Sequence, residues 1–212
     1  MNNRRILDDL TFVSRQDKRV FTLKDLSIVS GKSNKYLSKL LSTKGNVVRI
    51  ENGKYFLDSG QGVDFYEISS QLVFPSYISL FAAFQYYSIT DQVITTYSVV
   101  SLKRHKRILL GNSVIEFKSI NKERFFGYKK VDGIFVATIE KAIVDSLYFN
   151  TPLFSYVKEA FDNAQSKRDL NKKTLIEYAE RMNSKIVRYK VEALLKRIET
   201  SENKIKGERN YR

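Results

Sequence analysis

Glu116-Phe117-Lys118 sets a carboxylate and an amine two residues apart in a strand-like stretch, with Asp91 upstream. In nucleases of the restriction type, an acid pair holds Mg²⁺ while a lysine supports the attacking water. The pattern is short and recurs by chance. Asp91, moreover, opens a strand rather than ending one beside the pair. A Mg-dependent nuclease therefore stands as the lesser alternative. The chain has no cysteine and a single histidine, His105. Disulfides and thiolate metal sites are excluded, and a zinc site or a histidine-based triad lacks its residues. The expectation is a protein that is not an enzyme and uses no metal or cofactor.

Recognition of a polyanion fits the residues better. Asn34, Lys35, Ser38, Lys39 and Ser42 form a stripe of small polar and basic groups with no acid among them, and Lys32 and Ser33 lead into it. Lysines suit phosphates or guanine edges, asparagine can pair bidentately with adenine, and serines reach base or backbone. A solvated helix face would carry similar residues, so the surrounding elements decide the reading.

Those elements can be laid out in order. Ile6, Leu7, Leu10 and Val13 recur at helical spacing and predict a first helix over about residues 3–15. After Val20-Phe21, the tetrad Thr22-Leu23-Lys24-Asp25 has the form of a capping box, with Asp in place of the usual Glu. It opens a second helix with Leu23, Leu26 and Val29 inward. Gly31 gives a turn, and Ser33 caps a third helix to about Thr43, ended by Gly45. Leu37, Leu40 and Leu41 mark its core face, opposite the polar stripe. Residues 47–51 and 54–57 flank Asn52-Gly53, the signal for a type I′ hairpin, which puts Arg49 and Lys54 on a wing within reach of phosphates. The expectation is a basic winged helix-turn-helix over residues 1–60, followed by a larger α/β unit over 61–212.

The composition agrees. Among 212 residues, 37 Lys+Arg against 23 Asp+Glu leave a net charge of +14, with the excess at the two ends and a nearly balanced middle. Such a surplus favours nucleic acid or an anionic membrane surface. No apolar run approaches the roughly 18 residues that span a bilayer, and MNNRRILDDL lacks the apolar core of a signal peptide. With no cysteine to protect, a cytoplasmic location is expected.

Past residue 61, Pro75-Ser76-Tyr77 predicts the start of an aromatic-rich helix through Tyr87, and Val93–Leu102 reads as a strand. Gly111-Asn112 and Asp132-Gly133 mark two further hairpins. Thr138 caps a helix over Ile139–Phe149, and the stretch from Pro152 to about Ser201 reads as three helices divided near 167–169 and 183–184. The class is α+β, with a small antiparallel sheet and a helical C-terminal part.

Three segments carry a resemblance. Pro75 through Gln92, Phe125-Phe126-Gly127-Tyr128 and Val136 through Asp145 are similar to blocks of the AbiEi family, the antitoxins of abortive-infection AbiE toxin–antitoxin systems. Asn183 through Leu195 is similar to a closing block more weakly. Two departures stand out: Ile139 replaces a usual proline, and Arg188-Tyr189-Lys190 replaces a usual Arg-Leu-Gly. The resemblance implies a winged-helix regulator that represses its own operon at inverted repeats of double-stranded DNA. It also implies an antitoxin unit at residues 61–212, acting against a nucleotidyltransferase-type toxin without stable contact.

Other groups read as follows. Lys103, Arg104, Lys106 and Arg107 are either a second phosphate-contacting patch or a solvated loop. Lys185, Arg188, Lys190, Lys196 and Arg197, interspersed with Glu192 and Glu199, lean toward a solvated face. Phe81, Phe84, Tyr86 and Tyr87 sit at helical spacing and suit core packing better than base stacking, which weakens the RNA-binding alternative. Glu140, Lys141 and Asp145 read as the start of a helix, where Glu140 complements the helix dipole.

Overall fold

The computed structural model describes residues 20–58 and 64–209, with Asp9 and Phe12 besides. The helix expected over about 3–15 lies outside the described residues apart from those two positions. The class is α+β, with two sheets, each packed with helices.

The first sheet holds β1 (Val20–Thr22), β2 (Val47–Glu51) and β3 (Lys54–Leu57), all antiparallel in the order β1-β3-β2. Between β1 and β2 lie α1 (Leu23–Ser30) and α2 (Asn34–Leu41). The expected capping box is present, with the Thr22 side chain on Asp25 N and the Asp25 carboxylate on Thr22 N. Gly31, at φ 66°, makes the left-handed end of α1. Leu26, Leu37, Leu41, Phe21 and Tyr55 bury together as a small core, with the Phe21 and Tyr55 rings stacked at 5.9 Å. Three expectations are corrected here. Val29 is 39% exposed rather than inward. The third predicted helix ends at Leu41, before Gly45, because Ser42 and Thr43 turn their hydroxyls back onto the Lys39 and Leu40 carbonyls. At Asn52-Gly53 only Gly53 takes a positive φ, so the turn is not type I′; the register slips by one residue between Arg49 and Glu51 instead.

The second sheet is six-stranded and mixed, not small and antiparallel. Its strands are β4 (Ser76–Ile78), β5 (Thr96–Ser101), β6 (Ile108–Leu110), β7 (Ser113–Ser119), β8 (Tyr128–Val131) and β9 (Ile134–Ala137), in the order β6-β7-β5-β4-β9-β8. Both hairpins signalled by the sequence form, β6–β7 and β8–β9. The pairings that join them, β5 with β7 and β4 with β9, are parallel. Turn residues report only neighbouring strands, so these long-range pairings left no local mark. Residues 76–78 are also a strand where a helix was expected. β5 and β9 pair with them on both sides, Tyr77 and Ile78 are fully buried, and tertiary pairing overrides the helical spacing. The helix α4 begins only at Leu80 and ends at Tyr86.

Helix α5 (Ile139–Phe149) is the hub of the large unit, buried at every position from Ile139 through Leu147. Around it pack α4, α6 (Phe154–Ser166), α7 (Lys172–Arg181) and α8 (Lys185–Arg209). The remaining helix, α3 (Phe65–Gln71), joins a different cluster. Its Ile68, with Leu72 and Val73, buries against Val20, Ile50 and Phe56 of the first sheet and against Val99, Ile108 and Ile115 of the second. The two sheets therefore share apolar surface, and burying it is the main force holding them together. Val99 faces this shared cluster while its neighbour Val100 faces the helical core, so β5 is covered on both sides.

Candidate nucleic-acid interface

Helix α2 is held in place from below. Leu37 and Leu41 are buried against Leu26, Phe21 and Tyr55, and Ser33 caps the helix through Tyr36 N. The turn before it is locked as well, since Ser27 Oγ donates to the Lys32 carbonyl at 2.7 Å and Lys32 N donates to Ser30 Oγ at 3.3 Å. This fixes which side chains point outward. Lys32, Ser33, Asn34, Lys35, Lys39 and Ser42 are exposed, and Ser38 is half-buried. Tyr36 joins them at 44% exposure.

The hairpin meets this face. Ser38 and Ser42 of α2 and Arg49 of β2 line one cleft of about 230 Å³, floored by Leu41, Val47 and Tyr55. Arg49 is exposed and donates to the Asn52 side chain. Lys54 is placed differently from expectation. Its ammonium is 2.9 Å from Glu51 and donates to the Leu72 carbonyl at 2.7 Å. Lys54 is thus a tie between the hairpin and the end of α3, not a free cation.

The basic loop after β5 arrives beside the same hairpin. Lys103, Arg104, Lys106 and Arg107 are exposed, while His105 turns inward. Its Nε2 lies 3.3 Å from Glu51, Nδ1 lies 2.8 Å from the Lys106 carbonyl, and the ring packs 4.6 Å from Phe117. Partial burial alone would raise the Glu51 pKa. The hydrogen bonds and charges of Lys54 and His105 outweigh it and hold the carboxylate below its usual range. Glu51 therefore joins β2 to the loop as well as to α3. No sequence signal could have found this, because a lone histidine among four cations does not announce a partner 54 positions away.

The other candidates separate. Glu116 and Lys118 form an ion pair at 3.2 Å on β7, but Asp91 lies in the loop before β5, where its backbone N–H faces Glu159. Among the described residues no three His, Asp or Glu side chains gather as a metal-binding group. Phe84 is buried and Phe81, Tyr86 and Tyr87 are packed on the core; their rings face one another at 5–6 Å rather than outward. On α8, Lys185 is exposed, whereas Lys190 donates to Asn150 at 2.9 Å. Lys196 and Arg197 are exposed near the end of the described side chains.

The helix start read at Glu140 is present, with Glu140 in its first turn, but the surroundings of Lys141 and Asp145 go beyond that reading. Lys141 and Asp145 are both fully buried, and Glu140 accepts the backbone N–H of Asn171. Lys141 Nζ donates to Asp145 at 2.6 Å and to the Arg124 carbonyl at 2.9 Å, over the Phe126 ring at 4.2 Å. Tyr77 and Ser79 donate to the other oxygen of Asp145. Gly127 lies against the same lysine. The segments 75–92, 125–128 and 136–145 thus converge on one buried node.

No family model matches the chain, and no curated protein matches it either. Its fold is similar to that of the crystal structure of RV2827C protein from Mycobacterium tuberculosis, with a TM-score of 0.55 over 91% of this chain and 80% of that chain. The identity is 13%, so the likeness is one of fold. Among the described residues, no helix is long and apolar enough to cross a membrane.

Proposed function

We propose that this chain is a DNA-binding transcriptional autorepressor and the antitoxin of a toxin–antitoxin system, counteracting a nucleotidyltransferase-type toxin. The observation that carries the first half is the exposed Asn34, Lys35 and Lys39, with half-buried Ser38 between them, on a helix fixed from beneath, and Arg49 of the hairpin across the cleft that Ser38 lines. We read β1, α1, α2 and the β2–β3 hairpin as a winged helix-turn-helix, with α2 the helix that enters the major groove. Asn34 is nearest the base edges, and Lys35 and Lys39 take phosphates or guanine. Lys103, Arg104, Lys106 and Arg107, brought beside the hairpin through His105 and Glu51, extend the positive surface along the backbone. The antitoxin half rests on the resemblance of residues 75–92, 125–128 and 136–145 to AbiEi blocks.

The DNA reading is tested by titrating the protein with a duplex from upstream of its own gene, a scrambled duplex and a single-stranded RNA at two salt concentrations. Tighter binding to the upstream duplex, lost on Lys35→Ala and Asn34→Ala in a folded protein, supports it. Equal binding to all three sinks it, and preference for RNA moves the assignment to an RNA-binding regulator. The antitoxin reading is tested with the full chain co-expressed beside a neighbouring nucleotidyltransferase. Failure to restore growth would remove that half alone.

A further inference from the structure

The junction of α5, α6 and α8 leaves apolar side chains in solvent, far in sequence from the stripe on α2. Ile186 is 65% exposed, Tyr189 73%, Leu153 71% and Phe154 40%. Ile186 forms one wall of a groove of about 740 Å³ whose floor is Leu147, Tyr148 and Phe149 at the end of α5, and Tyr189 lies three residues further along the same helix. Lys190 lines it, donating to Asn150 at 2.9 Å with its ammonium 5.9 Å from the Phe154 ring. The size lies in the range of built binding pockets, and a cluster of exposed large apolar groups on one junction marks an interaction surface.

The charge around the groove selects the occupant. Lys190 lines it, Lys185 is exposed one residue from Ile186, and the Arg124 guanidinium lies 5.1 Å over the Tyr148 ring on the floor. Among the described residues no carboxylate lines it. A second copy packed face to face would bring these cations onto their own equivalents, which is repulsive. A nucleic-acid backbone would leave Ile186, Tyr189 and Leu153 against a charged polymer with nothing apolar to cover them. An amphipathic helix with large apolar residues on one stripe and acids beside it satisfies both features. We infer that the groove between α5, α6 and α8 docks an acidic amphipathic helical segment of a partner protein, with Ile186 and Tyr189 as its apolar anchors and Lys185 and Lys190 meeting its carboxylates.

The test uses the full-length chain and a phage-displayed library of random 16-residue peptides as probe. Selection is run in moderate salt with competing duplex DNA present, so that α2 and the basic loop are occupied. The expected result is enrichment of peptides with apolar residues at helical spacing and Asp or Glu between them. Their affinity should fall roughly tenfold or more for Ile186→Glu and Tyr189→Glu, as for loss of a central anchor. Both positions are largely exposed, so melting temperature should hold, and DNA binding should be untouched. Peptides that bind these variants as well as the parent overturn the proposal, as does enrichment without acidic character or no enrichment at all. Self-association that disappears in Ile186→Glu would assign the groove to a second copy and overturn it too. None of these outcomes depends on α2 reading DNA.

Discussion

Lys141 and Asp145 form an ion pair of 2.6 Å on one turn of α5, with neither side chain exposed to solvent. Burial works against both charges, pushing the Asp145 carboxyl up and the Lys141 ammonium down, while their mutual attraction opposes it. The remaining lone pairs and protons are used by Tyr77, Ser79 and the Arg124 carbonyl, which makes the pair tolerable in the interior. The node joins β4, the loop before β8, α5 and the end of α7, where Met182 lies 3.3 Å from the ammonium.

Removing one partner should cost far more than removing both. Lys141→Met leaves a buried carboxylate without a cation and should destabilise by about 3–5 kcal/mol. Lys141→Met with Asp145→Leu should recover much of that loss, although Tyr77 and Ser79 then lose an acceptor. Chemical denaturation of the two singles and the double gives the coupling directly. The pH dependence has a definite sign. In Lys141→Met the folded-state pKa of Asp145 rises further, so the folded state binds the proton more tightly than the unfolded one. The deficit of the variant should therefore shrink as pH falls from 7 toward 5. A deficit that is flat or grows in acid would contradict this account.

Gly127 is required by its surroundings. At φ 70° it sits where an L side chain is strained, and an added Cβ would meet Tyr178 at 2.8 Å and Lys141 Cβ at 3.0 Å. The tyrosine ring can give way, but a Cβ on buried α5 cannot. Gly127→Ala should cost on the order of 1–3 kcal/mol. Gly45, with open space around it, offers a control that should tolerate alanine within about 0.5 kcal/mol.

The tie at Glu51 should loosen in acid. Its folded-state pKa is depressed, so its contribution is present above the unfolded carboxylate value and is lost as pH falls through the folded one. Glu51→Gln should lower stability at neutral pH and flatten the acid limb below about pH 4.5. Amide exchange should show loop 103–107 opening faster in the variant at neutral pH. Unchanged exchange there would mean that Phe117 packing, not Glu51, holds His105 in place.

Three changes on α2 should act in three different ways. Lys35→Ala should weaken every duplex alike and lower the salt slope by roughly one. Asn34→Ala should reduce the preference for operator by about 1–3 kcal/mol if its contact is bidentate. Leu37→Ala should leave a cavity beneath the helix and cost on the order of 2–5 kcal/mol of stability. Because Lys54 is held by Glu51 and Leu72, Lys54→Ala should change stability more than the salt slope, unlike Arg49→Ala. A salt slope that drops equally for both would place Lys54 on the DNA after all.

Local rules carried far in this chain. Thr22 with Asp25, Ser33 and Thr138 announced their helix starts, and Gly31, Asn52-Gly53 and Asp132-Gly133 their turns, because each depends on neighbours within a few residues. The polar face of α2 was legible for the same reason: helical spacing puts Leu37 and Leu41 on one side and Asn34, Lys35 and Lys39 on the other. What the sequence could not show was anything set by distant partners. Ser76–Ile78 became a strand because β5 and β9 lie on either side of it. Lys54 is tied down because the Leu72 carbonyl lies within reach, and His105 gained a role because β2 brings Glu51 to it. Lys141 and Asp145 looked like ordinary charges four apart on a helix. Only the sheet, the loop at 124–127 and α7, closing around that turn, deny them water and make the pair the centre of the fold.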